Sequence, residues 1–311
     1  MSSSLFERYP RATLWALLLF FCMALVTVFE ILGRNLWGLG NPVIYDMNPL
    51  YGYRPLPDQH LKRSGGTMLD FNNLGLRAEN DWAGEPDHKV LFLGDSVTYG
   101  GSYISNRQLF SHLSVTEALP TYEAGNAGVN GWGVLNVLGL VRDAHFLPAH
   151  TVVTLLPEGD FLRGFNRIAG QPFWPRKPKF ALEEIWYFLL YTLNLQKFNN
   201  PTHVLTGPET QQVIRQAAMA LKNLDDLLKA QGIRHLIYIT PSRSQALEQE
   251  EKDAFVLTAL EQANISAHYL LDNLKQLPLA DRAQLYVDNI HLSQAGHQVW
   301  GHWIAEDLKK I

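Results

Sequence analysis

The first apolar stretch of the chain is continuous and shows neither a helical nor a strand period. Ala12 to Phe29 runs 18 residues without a charge, at the short end of what crosses a bilayer. Ile31 and Leu32 extend it past Glu30. A cleaved signal peptide has a shorter apolar core and small residues at its exit. Here the exit is Phe29-Glu30-Ile31-Leu32, and Cys22 follows the bulky Phe21, which argues against a lipoprotein site. The pattern predicts an uncleaved, single-pass signal anchor over 12–32. A cleaved signal and a buried core helix are the alternatives. Arg8 and Arg11 precede the span, and only Arg34 follows it closely. The positive-inside rule then keeps residues 1–11 as a cytoplasmic tail. It carries the C-terminal part across the inner (plasma) membrane, in a bacterium to the periplasmic side.

Residues 33–88 are broken by Gly38, Gly40, Pro42, Pro49, Pro55, Pro57, Gly65 and Gly66. They read as a tether and a small N-terminal extension with one or two short hairpins. Leu69–Arg77, LDFNNLGLR, is expected as an edge hairpin around Asn-Asn. From Lys89 the pattern changes. KVLFLGDS, TVVTLLPEGD (Thr151–Asp160) and IRHLIYIT (Ile233–Thr240) are apolar strands. Helices are predicted over Glu209–Gln231, Leu247–Asn264 and Gln294–Lys310. In the first, Val213, Ala217, Leu221, Leu224 and Leu228 keep helical spacing and Gly232 is a natural stop. Apolar strands alternating with helices predict a mostly parallel sheet covered on both faces, an α/β domain over 89–311. Phe180–Leu195 is too short to span. It is expected as a buried or lid helix; the sharper alternatives are a second membrane contact or a wall for an apolar substrate.

Composition narrows the function classes. With 47% hydrophobic and 18% charged residues in 311, the chain can bury a core and is not a disordered polymer. A net charge of −4 lacks the basic excess of a nucleic-acid binder, so no nucleic-acid partner is expected. A single cysteine rules out an internal disulfide and a Cys-based zinc site. There is no HExxH spacing, Walker loop or Rossmann fingerprint. No cofactor and no metal are expected.

Gly94-Asp95-Ser96 closes the first strong strand. In open α/β sheets ligands bind beyond the carboxyl ends of the strands, so a serine on that turn is well placed to meet one. A serine hydroxyl is a weak nucleophile that needs a base in reach, and the base needs an orienting partner. Asp288-Asn289-Ile290-His291 offers both. A spacing of three puts the carboxylate and the imidazole on one side of a single turn, with Nδ1 held by the acid and Nε2 free to face Ser96. Asp95 is expected to bond loop backbone, and His297 to sit on a helix surface.

Three blocks taken together, FLGDSVTYG (Phe92–Gly100), NAGVNGWG (Asn126–Gly133) and YVDNIHLSQAGHQVW (Tyr286–Trp300), resemble the SGNH/GDSL hydrolase family over about Lys89 to Leu308. The resemblance implies a flavodoxin-like three-layer α/β/α sandwich and hydrolysis or transfer of acyl groups on esters, O-acetylated sugars and lipids included. It implies Ser96 as nucleophile, His291 as base and Asp288 as its orienting acid. The N–H groups of Ser96 and Gly131 would be oxyanion donors. The third block departs from the family pattern. Asp160 fits the family aspartate, which leaves Gly159 at the position of an asparagine that donates to the oxyanion. Losing one such donor typically costs about 100- to 1,000-fold in rate. Asn130, Asn166 or Arg163 could substitute, two backbone donors could suffice, or catalysis could have been lost. The expectation is a membrane-anchored serine esterase acting on an envelope polysaccharide or lipid ester. An acyltransferase and a non-catalytic glycan-binding or assembly protein are the rivals.

Overall fold

A computed structural model describes residues 8–83, 87–143, 149–167, 173–193 and 209–311. Residues 1–7 of the expected tail, and 194–195 of the apolar segment after Phe180, lie outside the described residues.

Helix α1 (Pro10–Trp37) opens with Pro10 in its first turn and ends at Gly38, whose φ of +64° closes it. By length and composition it can cross a membrane, and nearly all its side chains are exposed. Its 28 residues span about 42 Å at 1.5 Å per residue.

Two antiparallel hairpins follow, β1 (Tyr45–Asn48) with β2 (Gly52–Pro55), and β3 (Gln59–Lys62) with β4 (Met68–Phe71). They are packed against the main domain. Tyr53, Leu61, Leu69 and Phe71 are buried in the same apolar cluster as the sheet. Arg77 bridges both Phe71 and Asn126, so the LDFNNLGLR turn docks on the edge of the sheet.

Among the described residues the main sheet has five parallel strands: β5 (Lys89–Gly94), β6 (Glu123–Asn126), β7 (Thr151–Pro157), β8 (Arg234–Thr240) and β9 (His268–Tyr269). Their spatial order, β6-β5-β7-β8-β9, is the flavodoxin-like order. Successive side chains of a strand point to opposite faces, which builds two cores. Leu91, Leu93, Val152 and Leu156 face α4 (Val134–Val141), α6 (Thr210–Ala230) and α7 (Ala254–Gln262). Val90, Phe92, Val153 and Leu155 face α3 (Phe110–Ala118) and α8 (Gln294–Leu308). The remaining helices named below are α2 (Ser96–Tyr99) and α5 (Ala181–Thr192). The chain is therefore a three-layer α/β/α sandwich behind one apolar N-terminal helix.

Two expectations change. The helix expected over Leu247–Asn264 starts only at Ala254, because the Asp253 carboxylate accepts from the N–H groups of Phe255 and Val256 and caps it there. His297, expected on a helix surface, is fully buried. It shares a face of α8 with Trp300, Ile304 and Leu308, stacks on the Phe110 ring, and accepts from the Phe110 N–H through Nδ1 at 3.2 Å.

Candidate active site

Because β5, β6 and β7 run parallel, their carboxyl ends lie on one edge of the sheet, and the loops that leave them converge there. Strand β5 ends in Gly94, and Asp95 caps the turn by accepting from the Val97 N–H at 2.8 Å. This is the loop-bonding role expected of Asp95. Ser96 is the first residue of α2.

The loop at 286–292 is closed by an antiparallel bridge between Tyr286 and Leu292 and by the Val287 N–H donating to the His291 carbonyl. Asn289 pins its tip: its carbonyl accepts from the Arg243 N–H, and its side chain accepts from Ser244. Asp288 Oδ1 accepts from the N–H groups of Ile290 and His291 at 2.8 and 2.7 Å. Its Oδ2 lies 2.7 Å from His291 Nδ1. His291 Nε2 lies 2.8 Å from Ser96 Oγ. Burial raises the pKa of Asp288, but the hydrogen bonds from the His291 N–H and ring and from the Ile290 N–H outweigh it, so the carboxyl is held below its ordinary range. An acid that stays ionised fixes the ring tautomer with Nε2 toward the hydroxyl.

The loop after β6 brings Gly131 to the same edge. Gly128 packs against the backbone of α2, where a Cβ would lie 2.2 Å from the Tyr99 nitrogen. Gly131 has φ +77°, a conformation that disfavours other residues. The N–H groups of Ser96 and Gly131 have no hydrogen-bond partner among the described residues. The loop is braced from outside. The Tyr53 hydroxyl donates to the Asn130 carbonyl at 2.5 Å, and Asn166 donates its side-chain amide to the Gly131 carbonyl. Asn166 is buried, and its amide nitrogen is engaged in holding that loop.

After β7, Gly159 leaves open space, with nothing within 4 Å of where a Cβ would stand. Beneath the serine turn lies a buried charge cluster. Arg163 Nη1 donates to Asp160 Oδ1 at 2.6 Å and to the Trp132 carbonyl at 3.0 Å, and lies 3.4 Å from Asp95 Oδ2. Burial pushes the Asp160 carboxyl well above its ordinary range, and the nearby Asp95 carboxylate adds to this while Arg163 opposes it. Arg163 thus ties the turn carrying Ser96 to the segment after β7.

Two residues at the site carried no sequence signal. Arg77 is buried and donates to the carbonyls of Tyr99, Gly101 and Ile104 at 2.6, 2.9 and 2.6 Å, fixing the loop after α2. The Tyr103 hydroxyl donates to the Leu292 carbonyl at 2.9 Å, beside His291. Burial pushes this phenol up to about 12, with the Asp288 carboxylate adding to it.

No protein-family model matches the chain, nor does any curated protein sequence. Among solved structures, the chain is similar to a member of the lipolytic protein G-D-S-L family from Veillonella parvula (TM-score 0.43, 11% identity, covering 72% of this chain and 99% of that one). It is also similar to the acetyl xylan esterase AlAXEase (0.45, 14%, 70% and 98%). A third likeness is to Est24, a carbohydrate acetylesterase from Sinorhizobium meliloti (0.35, 14%, 72% and 99%).

Proposed function

We propose that the chain is a serine esterase of SGNH type, held to the outer face of the inner membrane by α1. The observation that carries this reading is the hydrogen-bonded row Ser96–His291–Asp288, drawn from segments 195 residues apart. Ser96 Oγ attacks the carbonyl carbon of a carboxylic ester while His291 Nε2 takes the hydroxyl proton. The N–H groups of Ser96 and Gly131 hold the oxyanion that develops. Collapse of the tetrahedral intermediate breaks the ester C–O bond, and His291 returns the proton to the departing alcohol. Water, deprotonated by the same imidazole, then releases the acid and restores Ser96. No cofactor enters the scheme. The substrate is an ester at the membrane face, either an O-acetylated envelope polysaccharide or a lipid. The intact row also argues against a non-catalytic scaffold, which has no need to keep a hydroxyl, an imidazole and an acid in line.

The test uses the full-length protein in detergent. Native protein should label with a fluorophosphonate and turn over p-nitrophenyl acetate, and Ser96→Ala should do neither. Native protein that neither labels nor turns over would refute the reading. Preferred transfer to a sugar hydroxyl over water would make the same acyl-enzyme that of an acyltransferase.

A further inference from the structure

A cavity of about 510 Å³ lies between the end of α1, the first hairpin and α5. That is within the roughly 300–1,000 Å³ typical of small-molecule sites. Its outer wall is mostly apolar, built from Trp37, Leu39, Val43, Trp174, Ile185 and Phe188, and its charged lining residues, Arg63 and Glu184, are paired with each other. Its inner wall includes Tyr99, Tyr103 and Asn130. Each of these belongs to, or touches, a different part of the candidate active site. Tyr99 ends the short helix that begins with Ser96. Asn130 precedes Gly131. Tyr103 is bonded to the residue after His291.

The outer wall is fastened to the apolar helix. Both carboxylate oxygens of Glu30, near the end of α1, accept from the N–H of Ala181, the first residue of α5, at 2.8 Å. Arg34 pairs with Glu30 and donates to the Lys179 carbonyl. Glu184 accepts from the Gly40 N–H at 2.7 Å and pairs with Arg63 at 2.5 Å. These contacts give Glu30, the one acidic residue of α1, a role: it holds the start of α5 level with the last turns of α1. Beyond Glu184, α5 carries no charge, and Trp186, Phe188, Leu189 and Tyr191 are exposed. Exposed aromatics on a short helix at that level suit the bilayer interface. Trp37 of α1 and Phe188 of α5 are exposed and also line the cavity, so the exposed apolar surface reaches it.

We infer that this cavity takes the acyl chain of an ester drawn from the bilayer and delivers its carbonyl to Ser96. The inference rests on the serine-esterase reading and narrows its substrate to lipid-like esters. The shared walls supply the logic. A chain lying along Ile185 and Phe188 ends among Tyr99, Tyr103 and Asn130, next to the groups that would perform the chemistry.

The test compares p-nitrophenyl octanoate with p-nitrophenyl acetate on the full-length protein in lipid nanodiscs. In the native protein kcat/KM should favour octanoate at least tenfold. Filling the cavity from opposite walls, with Ile185→Trp and separately with Ser102→Trp, should lower the octanoate-to-acetate ratio at least tenfold. Both esters are read on one preparation, so loss of folded protein cancels in the ratio. Acetate turnover with no preference for octanoate, or a ratio unmoved by both variants, would overturn the inference and leave the esterase reading intact. If neither ester turns over and Ser96 takes no fluorophosphonate, the esterase reading fails and this inference falls with it.

Discussion

The Nε2 atom of His291 lies 2.8 Å from the hydroxyl of Ser96, while its Nδ1 is held by a carboxylate that is itself anchored by two backbone N–H groups. The imidazole is therefore held with Nε2 toward the Ser96 hydroxyl. Replacing Asp288 with Asn keeps an oxygen for the backbone N–H groups but spoils the ring contact. Asp288→Asn should lower kcat by up to about 10⁴-fold with little change in the thermal midpoint. Steady-state kinetics beside a melting curve checks this; an unchanged kcat would remove Asp288 from the mechanism.

Nothing crowds Gly159, the position to which the sequence resemblance would assign an oxyanion donor. Gly159→Asn should therefore be accommodated without repacking. One added oxyanion donor can be worth about 100-fold or more, so a rise in kcat of about tenfold is a modest expectation for an unoptimised geometry. A fall in kcat with unchanged stability would mean that the open space there admits substrate instead.

The left-handed conformation at Gly131 and the amide brace from Asn166 make a paired prediction. Gly131→Ala should cost about 1–2 kcal/mol of stability for the backbone alone. Asn166→Ala leaves the Gly131 carbonyl without that donor, at a cost of about 1–3 kcal/mol. Both should reduce kcat more than they raise KM, because a displaced N–H weakens transition-state binding. Urea unfolding and kcat measured on the same variants separate the two effects.

His297 is buried neutral, its pKa lowered to about 3 from an ordinary 6.5, chiefly by burial and further by Arg77. Between these values the unfolded chain holds a proton that the folded chain does not. Stability should therefore fall as the pH drops from about 6.5 toward 3, by up to about 1.4 kcal/mol per pH unit from this group. His297→Gln should flatten the acid side of the stability curve relative to the native protein. Parallel urea midpoints of the two proteins from pH 6.5 to 4.5 would exclude the effect.

The apolar runs, the glycine turn after β5 and the Asp-x-x-His spacing were legible because they are local: each depends on residues within one turn or one strand. Strand type, the long helix at Thr210–Ala230 and the N-terminal apolar helix followed from the same patterns. His297 was misplaced, although its spacing to Trp300, Ile304 and Leu308 marks a buried face, because a polar side chain masks such a face to pattern reading. Arg77, Tyr103 and the Glu30–Ala181 contact left no trace in the sequence, since their partners are distant carbonyls and N–H groups. Long-range backbone contacts have no residue code. The sequence determined which groups could do chemistry, through residue type and local spacing; only the tertiary structure decided their company, because the parallel sheet brings its loops to one edge and fixes what stands beside them.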